Sequence, residues 1–383
     1  MDLVAFCKRA DWLNRERVRG YAMILGLVSL VLVIASYFAA MGPAGTDFLA
    51  FWGAGHVSAG GDPALAYDLA TQERVQTATG SDGWFAFVNP PPFLFVATVF
   101  GALPFTLAWG LWVALTFVLW ALASIRVFPR LWLPVLAYPG ALIAAGHGQT
   151  GLLTGALLVG AVALLDKRPL VSGALVGALI IKPHLALLLP LWLAAGGRWK
   201  AFIAAGASAI GLLLASWAAF GSQTMLAYTT SWQASAALMA SGDTAFYLRM
   251  ATPYSQLRLV MPPEAALGVS VIIALALAAL VLVSWRRAGP DPLASGSLML
   301  AASALAAPYL FNYDLPFLIV PTLWLVREGL ARGFRDWEKL ALVAVYLAPY
   351  ASRAIALPLG VNLMPAASAM LLTLVWTRIR TAA

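Results

Sequence analysis

Long apolar runs separated by short polar turns recur from one end of this chain to the other. As helix, a run of about 17–25 residues crosses a hydrocarbon core. The pattern predicts twelve spans, at 20–40, 92–125, 131–146, 149–165, 169–182, 184–196, 200–220, 266–285, 295–311, 314–327, 338–352 and 357–377. The run at 92–125 is interrupted at Pro104. Several spans hold only 13 to 17 residues. Those predict tilted, broken or re-entrant helices, so the expected count is about twelve, within about 10–13. The fold class is an all-α polytopic membrane protein forming a single integral-membrane domain over 1–383. Two polar intervals, 41–91 and 221–265, are too short for a soluble catalytic domain. The first run, Tyr21 to Ala40, is too long for the apolar region of a signal peptide and has no cleavage pattern, so it predicts a retained span.

Composition agrees with the pattern. The chain is 62% hydrophobic and 10% charged, against roughly 25% charged for a soluble protein. One cysteine, Cys7, excludes an intrachain disulfide and a cysteine-based metal site. The net charge of +8 does not indicate nucleic acid, because the basic residues cluster at the ends of spans. Sorting the loops by parity leaves only Arg74, Lys182, Arg249, Arg258 and Arg353 of the 24 Lys and Arg on one side. By the positive-inside rule that side is extracytoplasmic, both termini are cytoplasmic, and both long polar intervals are external loops.

The external side then collects the unusual polar residues. Asp47 follows the first span within Gly45-Thr46-Asp47-Phe48-Leu49-Ala50-Phe51-Trp52. An acid among aromatics at a membrane edge is costly unless it has a role there. The same side holds His56, Asp62, Asp68, Glu73 and Asp82, the turns Gly146-His147-Gly148-Gln149 and Lys182-Pro183-His184, then Asp243, Tyr254 and Asn312-Tyr313-Asp314. The five basic residues there run against the charge bias, which makes them candidates for binding an anion. Structural roles stand beside these. Asp47 can cap a helix over 48–59, and Asp62 can cap one beginning at Pro63. Lys182 can snorkel to the interface, although Pro183 breaks the helix directly after it. His56 and His147 are more often structural than catalytic, and Asp314 can cap the span that follows it. Gly151/Gly155 and Gly173/Gly177 have the small-xxx-small spacing of closely packed helices.

No P-loop, no H-E-x-x-H, no Asp-x-Asp pair and no G-x-S-x-G occurs. Nothing here supports a nucleotide-using or metalloprotease mechanism. A group transfer on this face needs an activated donor already in the bilayer, such as a polyprenyl-phosphate sugar. A divalent metal held by the outer acids stays open, with no metal ligand assigned.

One order of motifs runs through nearly the whole chain. An acid after the first span is followed by Gly60-Gly61-Asp62-Pro63-Ala64-Leu65-Ala66-Tyr67-Asp68 and Asn89-Pro90-Pro91-Pro92-Phe93. Then come Gly148-Gln149-Thr150-Gly151, Ile181-Lys182-Pro183-His184 and Ala307-Pro308-Tyr309-Leu310-Phe311-Asn312-Tyr313-Asp314-Leu315. This resembles glycosyltransferase family 87, the polyprenol-phosphate-mannose-dependent mannosyltransferase-like proteins of the glycosyltransferase-C superfamily. The resemblance implies a multi-span fold, a lipid-phosphate sugar donor, no nucleotide, and inversion at the anomeric carbon. It places the catalytic base at Asp47. The expected donor-phosphate ligands are Lys182, His184 and Arg258. Asp68, His147, Gln149, Tyr254 and Asp314 are the expected substrate contacts. Segments 48–59 and 64–78 are expected as interfacial amphipathic helices covering a lateral groove. The expected partners are the polyprenyl-phosphate donor, a lipid-linked, glycan or protein acceptor, and membrane lipids. A transporter or lipid flippase using the same charged cavity is the competing reading, and a subunit that holds a partner's enzyme is a third.

Overall fold

The computed structural model describes residues 3–240, 243–289 and 291–382. Among the described residues there is no strand, only an isolated antiparallel bridge between Met250 and Phe311. The helices, in chain order, are α1 Leu3–Arg9, α2 Arg15–Ala40, α3 Phe48–Ala59, α4 Leu69–Thr77, α5 Leu94–Gly101, α6 Phe105–Val127, α7 Trp132–Leu136, α8 Pro139–His147, α9 Gly151–Leu164 and α10 Pro169–Ala178. They continue with α11 Leu189–Ala195, α12 Trp199–Ala240, α13 Thr244–Arg249, α14 Pro253–Leu257, α15 Pro263–Ala288, α16 Pro292–Ala306, α17 Ile319–Arg332, α18 Glu338–Leu359 and α19 Met364–Ala382. Five stretches are long and apolar enough to cross a membrane: Arg15–Ala40, Phe105–Val127, Trp199–Gln233, Pro263–Ala288 and Glu338–Leu359. Shorter apolar helices, among them α9 and α16, fill the space between them. The chain is an all-helical integral membrane protein.

Local sequence explains where the helices begin and bend. Asn14 caps α2 by accepting from the Arg17 N–H at 2.9 Å, and Asp291 caps α16 by accepting from the Leu293 N–H at 2.8 Å. Pro104 separates α5 from α6 where the sequence predicts the break. The expected span at 131–146 is divided before Pro139 into α7 and α8. At Lys182 the chain is extended (φ −151°, ψ 70°) between the 3-10 turns Leu179–Ile181 and Pro183–Ala186, because Pro183 cannot continue a helix.

Three expectations are corrected. First, the expected external loop 221–265 is largely helical, since α12 runs on to Ala240 through a kink at Gly221 (φ 79°, ψ 166°). Only glycine adopts that backbone readily, so the bend falls where it does for a steric reason. Second, α18 passes through Pro349 and Pro358 and ends only before Gly360 (φ 64°). Arg353 therefore lies inside a helix and not in a turn. Third, the helix over 48–59 is not laid on a surface. Phe48, Leu49, Ala50, Phe51 and Ala54 are all buried. A Cβ on Gly55 would sit 1.9 Å from the Ala97 carbonyl oxygen, and one on Gly101 would sit 2.1 Å from the Gly55 carbonyl carbon. Backbone-to-backbone contact at these two glycines sinks α3 against α5. The Trp52 indole N–H, donating to the Leu103 carbonyl at 2.9 Å, locks the far end.

The small-residue pairs act as their spacing suggests. Cβ atoms on Gly173 and Gly177 would meet the carbonyl oxygens of Ala201 and Ala205 at 2.2 and 2.4 Å, so α10 lies directly on α12. At another point Glu338 and Arg378 form a buried ion pair, and Arg378 also donates to the Gly333 carbonyl at 2.8 Å, joining the start of α18 to the end of α19. A direct check of the glycine contacts is Gly173→Ala, predicted to destabilise by about 1–3 kcal/mol through overpacking. Gly206→Ala, inside α12 with no atom within 4 Å, is predicted to leave the unfolding temperature in detergent unchanged or slightly raised, because alanine favours helix.

Candidate active site

One cavity of about 960 Å³ gathers residues from distant parts of the chain. Asp47, His147, Gln149, Lys182 and His184 all line it, together with Asn89, Arg249, Tyr309, Asn312, Tyr313 and Arg353. Its walls are built by contacts that can be traced one at a time. Buried Gln76 both accepts from the Phe85 N–H and donates to the Phe85 carbonyl, each at 2.9 Å, which fixes the extended stretch 84–90 against α4. Asn89, in that stretch, donates to the Ile181 carbonyl at 3.2 Å and so reaches the Lys182 turn. On the opposite side Gly151 has no room for a side chain: a Cβ would lie 1.8 Å from the Tyr313 carbonyl oxygen. That close approach sets the 3-10 turn Asn312–Leu318 on the start of α9.

Asp47 stands directly before α3 with helical backbone (φ −53°, ψ −24°), and its side chain makes no capping bond. The capping role is therefore absent. Its Oδ2 accepts from Gln149 Nε2 at 3.1 Å, while Gln149 Oε1 accepts from the Thr150 N–H at 3.2 Å. Gln149 thus holds the carboxylate from the turn between α8 and α9. Thr46 donates to the His147 carbonyl at 2.9 Å and anchors the same junction. His147 Nδ1 donates to the Ile143 carbonyl at 2.9 Å, because a carbonyl can only accept. Its Nε2 is then the acceptor for Arg353 Nη2 at 3.2 Å.

Lys182 does not snorkel outward. Its ammonium is buried, ion-paired with Asp314, within 3.4 Å of Thr150 Oγ1, and 5.7 Å from the centre of the Tyr313 ring. Asp314 has no exposed surface, and its other oxygen accepts from the Phe311 N–H at 3.0 Å. His184 packs edge-on to Tyr309 with ring centres 5.8 Å apart. Its Nε2 and the Oδ1 of Asn312 are buried without a protein hydrogen-bond partner. Buried polar atoms are nearly always hydrogen-bonded, so these two, on residues that line the cavity, are set apart from their neighbours.

Four expected site residues do not line the cavity, and Asp314, enclosed behind Lys182, is one of them. Asp68 caps α4, accepting from the Thr71 N–H at 2.8 Å. Hydrogen bonds from Thr71 hold its carboxyl below the usual range. Arg258 donates to the Met261 carbonyl at 3.0 Å and lies 5.0 Å from the centre of the Tyr247 ring, away from the cavity. Tyr254 packs edge-on to Tyr247 beside it. His56 is structural, with Nδ1 3.1 Å from the Gly101 carbonyl and its ring stacked on Trp52. Asp62 precedes the 3-10 turn Pro63–Tyr67 without making a side-chain cap. Conversely, Arg249 and Arg353 line the cavity although the sequence did not place them in the site. Their signal in the sequence is the same one that marks Lys182 and Arg258, a minority of basic residues against the charge bias. Among the described residues no three His, Cys, Asp or Glu side chains group closely enough to hold a metal.

The sequence model of glycosyltransferase family 87 matches residues 87–308, more than half of the chain, and the chain belongs to that family. It is therefore a membrane glycosyltransferase, which sets aside the transporter and scaffold readings. The match begins after Asp47 and ends before Tyr309, so the cavity joins residues inside it to residues on both flanks. No curated protein and no solved structure matches the chain.

The buried pair has a thermodynamic signature. Lys182→Met leaves Asp314 charged and unpaired, and it is predicted to cost about 3–5 kcal/mol of stability. The double variant Lys182→Met/Asp314→Leu removes both charges and is predicted to recover most of that loss in thermal unfolding. Equal losses in the single and double variants would contradict the pairing.

Proposed function

We propose that this protein transfers a hexose, mannose being the sugar the family resemblance implies, from a polyprenyl phosphate to a hydroxyl of a lipid-linked, glycan or protein acceptor, on the extracytoplasmic face and with inversion. The observation that carries this reading is that Asp47 opens onto the same cavity as a set of cations. Lys182, Arg249 and Arg353 line it, against the carboxylates of Asp47 and, behind Lys182, Asp314. The surplus of positive charge suits an anionic donor.

The wall of the cavity supports a donor that arrives through lipid. Tyr228, Ala236 and Met239, on the second half of α12, face the cavity. Leu226 and Trp232 on the same stretch are largely exposed. A single helix thus separates the cavity from the surface that lipid tails would touch. The external location follows from the charge bias of the loops.

The chemistry asks for little beyond these parts. An acceptor hydroxyl attacks the anomeric carbon from the face opposite the phosphate, and its proton passes to a carboxylate within hydrogen-bond reach. With Oδ2 engaged by Gln149, Asp47 keeps Oδ1 for that proton. The transition state has oxocarbenium character, and the departing phosphate gathers negative charge that fixed cations stabilise.

Asp47→Asn is predicted to lower transfer from a polyprenyl-phosphate hexose by about 10²–10⁴-fold, the usual contribution of a general base. Expression and unfolding temperature are predicted to match the parent. Full turnover in that variant would remove Asp47 from the mechanism.

A further inference from the structure

The cavity's cations differ in what already neutralises them. Lys182 is paired with Asp314, whereas neither Arg249 nor Arg353 has a carboxylate within ion-pair distance among the described residues. They come from separate elements that the fold holds together. Helix α13, which ends at Arg249, packs on α18, which carries Arg353. Asn362, buried just beyond α18, donates to the Leu248 carbonyl at 2.9 Å, and its own N–H donates to Gln256 Oε1 at 2.9 Å. That fastens the residue preceding Arg249 to the end of α18. Arg353 is aimed by His147, whose neutral Nε2 accepts from it.

Arg353 lies within electrostatic reach of Arg249 and of Asp47. Two like charges facing a shared cavity repel, a cost that a bound anion offsets. Guanidinium also matches phosphate oxygens with paired N–H donors, which an ammonium does not.

We propose that Arg249 and Arg353 together bind the lipid phosphate, and that they are matched to the phosphate monoester released more than to the diester that enters. This rests on the reading of a lipid-phosphate donor given above. In the transfer, the acceptor oxygen bonds to the anomeric carbon and its proton goes to Asp47. The bond from that carbon to the phosphate oxygen breaks, and its electron pair stays on the phosphate. The entering diester carries one negative charge, and the monoester produced carries about −1.5 to −2 at pH 7. Two cations therefore favour the developing leaving group over the ground state, which is the condition for accelerating the chemical step. Lys182, already neutralised, instead maintains the cavity floor.

The test measures binding to the full-length protein in nanodiscs at pH 8, with farnesyl phosphate, methyl farnesyl phosphate and inorganic phosphate as probes. The parent protein is expected to bind the monoester about tenfold more tightly than the methyl diester, a difference of about 1.4 kcal/mol, and inorganic phosphate far more weakly. Arg249→Gln and Arg353→Gln are each expected to lose most of that preference. Arg353→Lys should retain part of it, and Arg74→Gln, outside the cavity, all of it. A folded Arg249→Gln or Arg353→Gln protein that keeps the parent's preference overturns the proposal. So does inorganic phosphate binding as tightly as farnesyl phosphate. Hexose transfer by the parent protein is measured separately: transfer without a monoester preference defeats the two-arginine site alone. A monoester preference without transfer defeats the donor reading while leaving the anion site.

Discussion

Lys182 and Asp314 are 132 positions apart in the chain and meet in a buried ion pair that the rest of the cavity is built around. Burying two charges is unfavourable unless they are paired and their remaining valences are met. Here the lysine also reaches Thr150 at the start of α9, and the aspartate binds the Phe311 N–H. One pair therefore ties together the Lys182 turn, the turn Asn312–Leu318 and the start of α9, just after Gln149. Gln149 in turn orients Asp47, so the position of the proposed base depends on a salt bridge it does not touch.

The same pairing divides the electrostatics of the site. Once Lys182 is spoken for, the free positive charge resides on α13 and α18, in the same cavity as the carboxylate that would act as base. Inversion asks that a sugar bound here turn one face of its anomeric carbon toward the base and the other toward the phosphate site. The aromatic residues Tyr309 and Tyr313 also line the cavity and offer a sugar an apolar surface beside its polar partners.

Much of this was legible in the chain. Apolar run lengths predicted the membrane class, Pro104 and Pro183 predicted breaks that the structure contains, and Asp47, Lys182, His147, Gln149 and His184 do share one cavity. The rest was hidden for physical reasons. Arg258 and Arg249 are nine residues apart in one polar interval, and nothing local distinguishes the one that stacks on Tyr247 from the one that reaches the cavity. Arg353 looked like a turn residue because prolines usually end helices, yet α18 continues through Pro349. The burial of α3 depended on Gly55 meeting Gly101, a contact between positions that periodicity treats separately. Asp68 was misplaced for the opposite reason: an exposed acid at a helix start needs no substrate to explain it.

The central claim is that a lipid-phosphate sugar reacts inside this one cavity, with its phosphate at the two arginines and its anomeric carbon toward Asp47. A cryo-electron microscopy structure of the Asp47→Asn protein with a short-chain polyprenyl-phosphate hexose tests it most directly. The account predicts the phosphate between Arg249 and Arg353, the anomeric carbon turned toward residue 47, and the prenyl chain leaving past the second half of α12. A sugar phosphate bound outside this cavity, or one whose anomeric carbon faces away from residue 47, would contradict it.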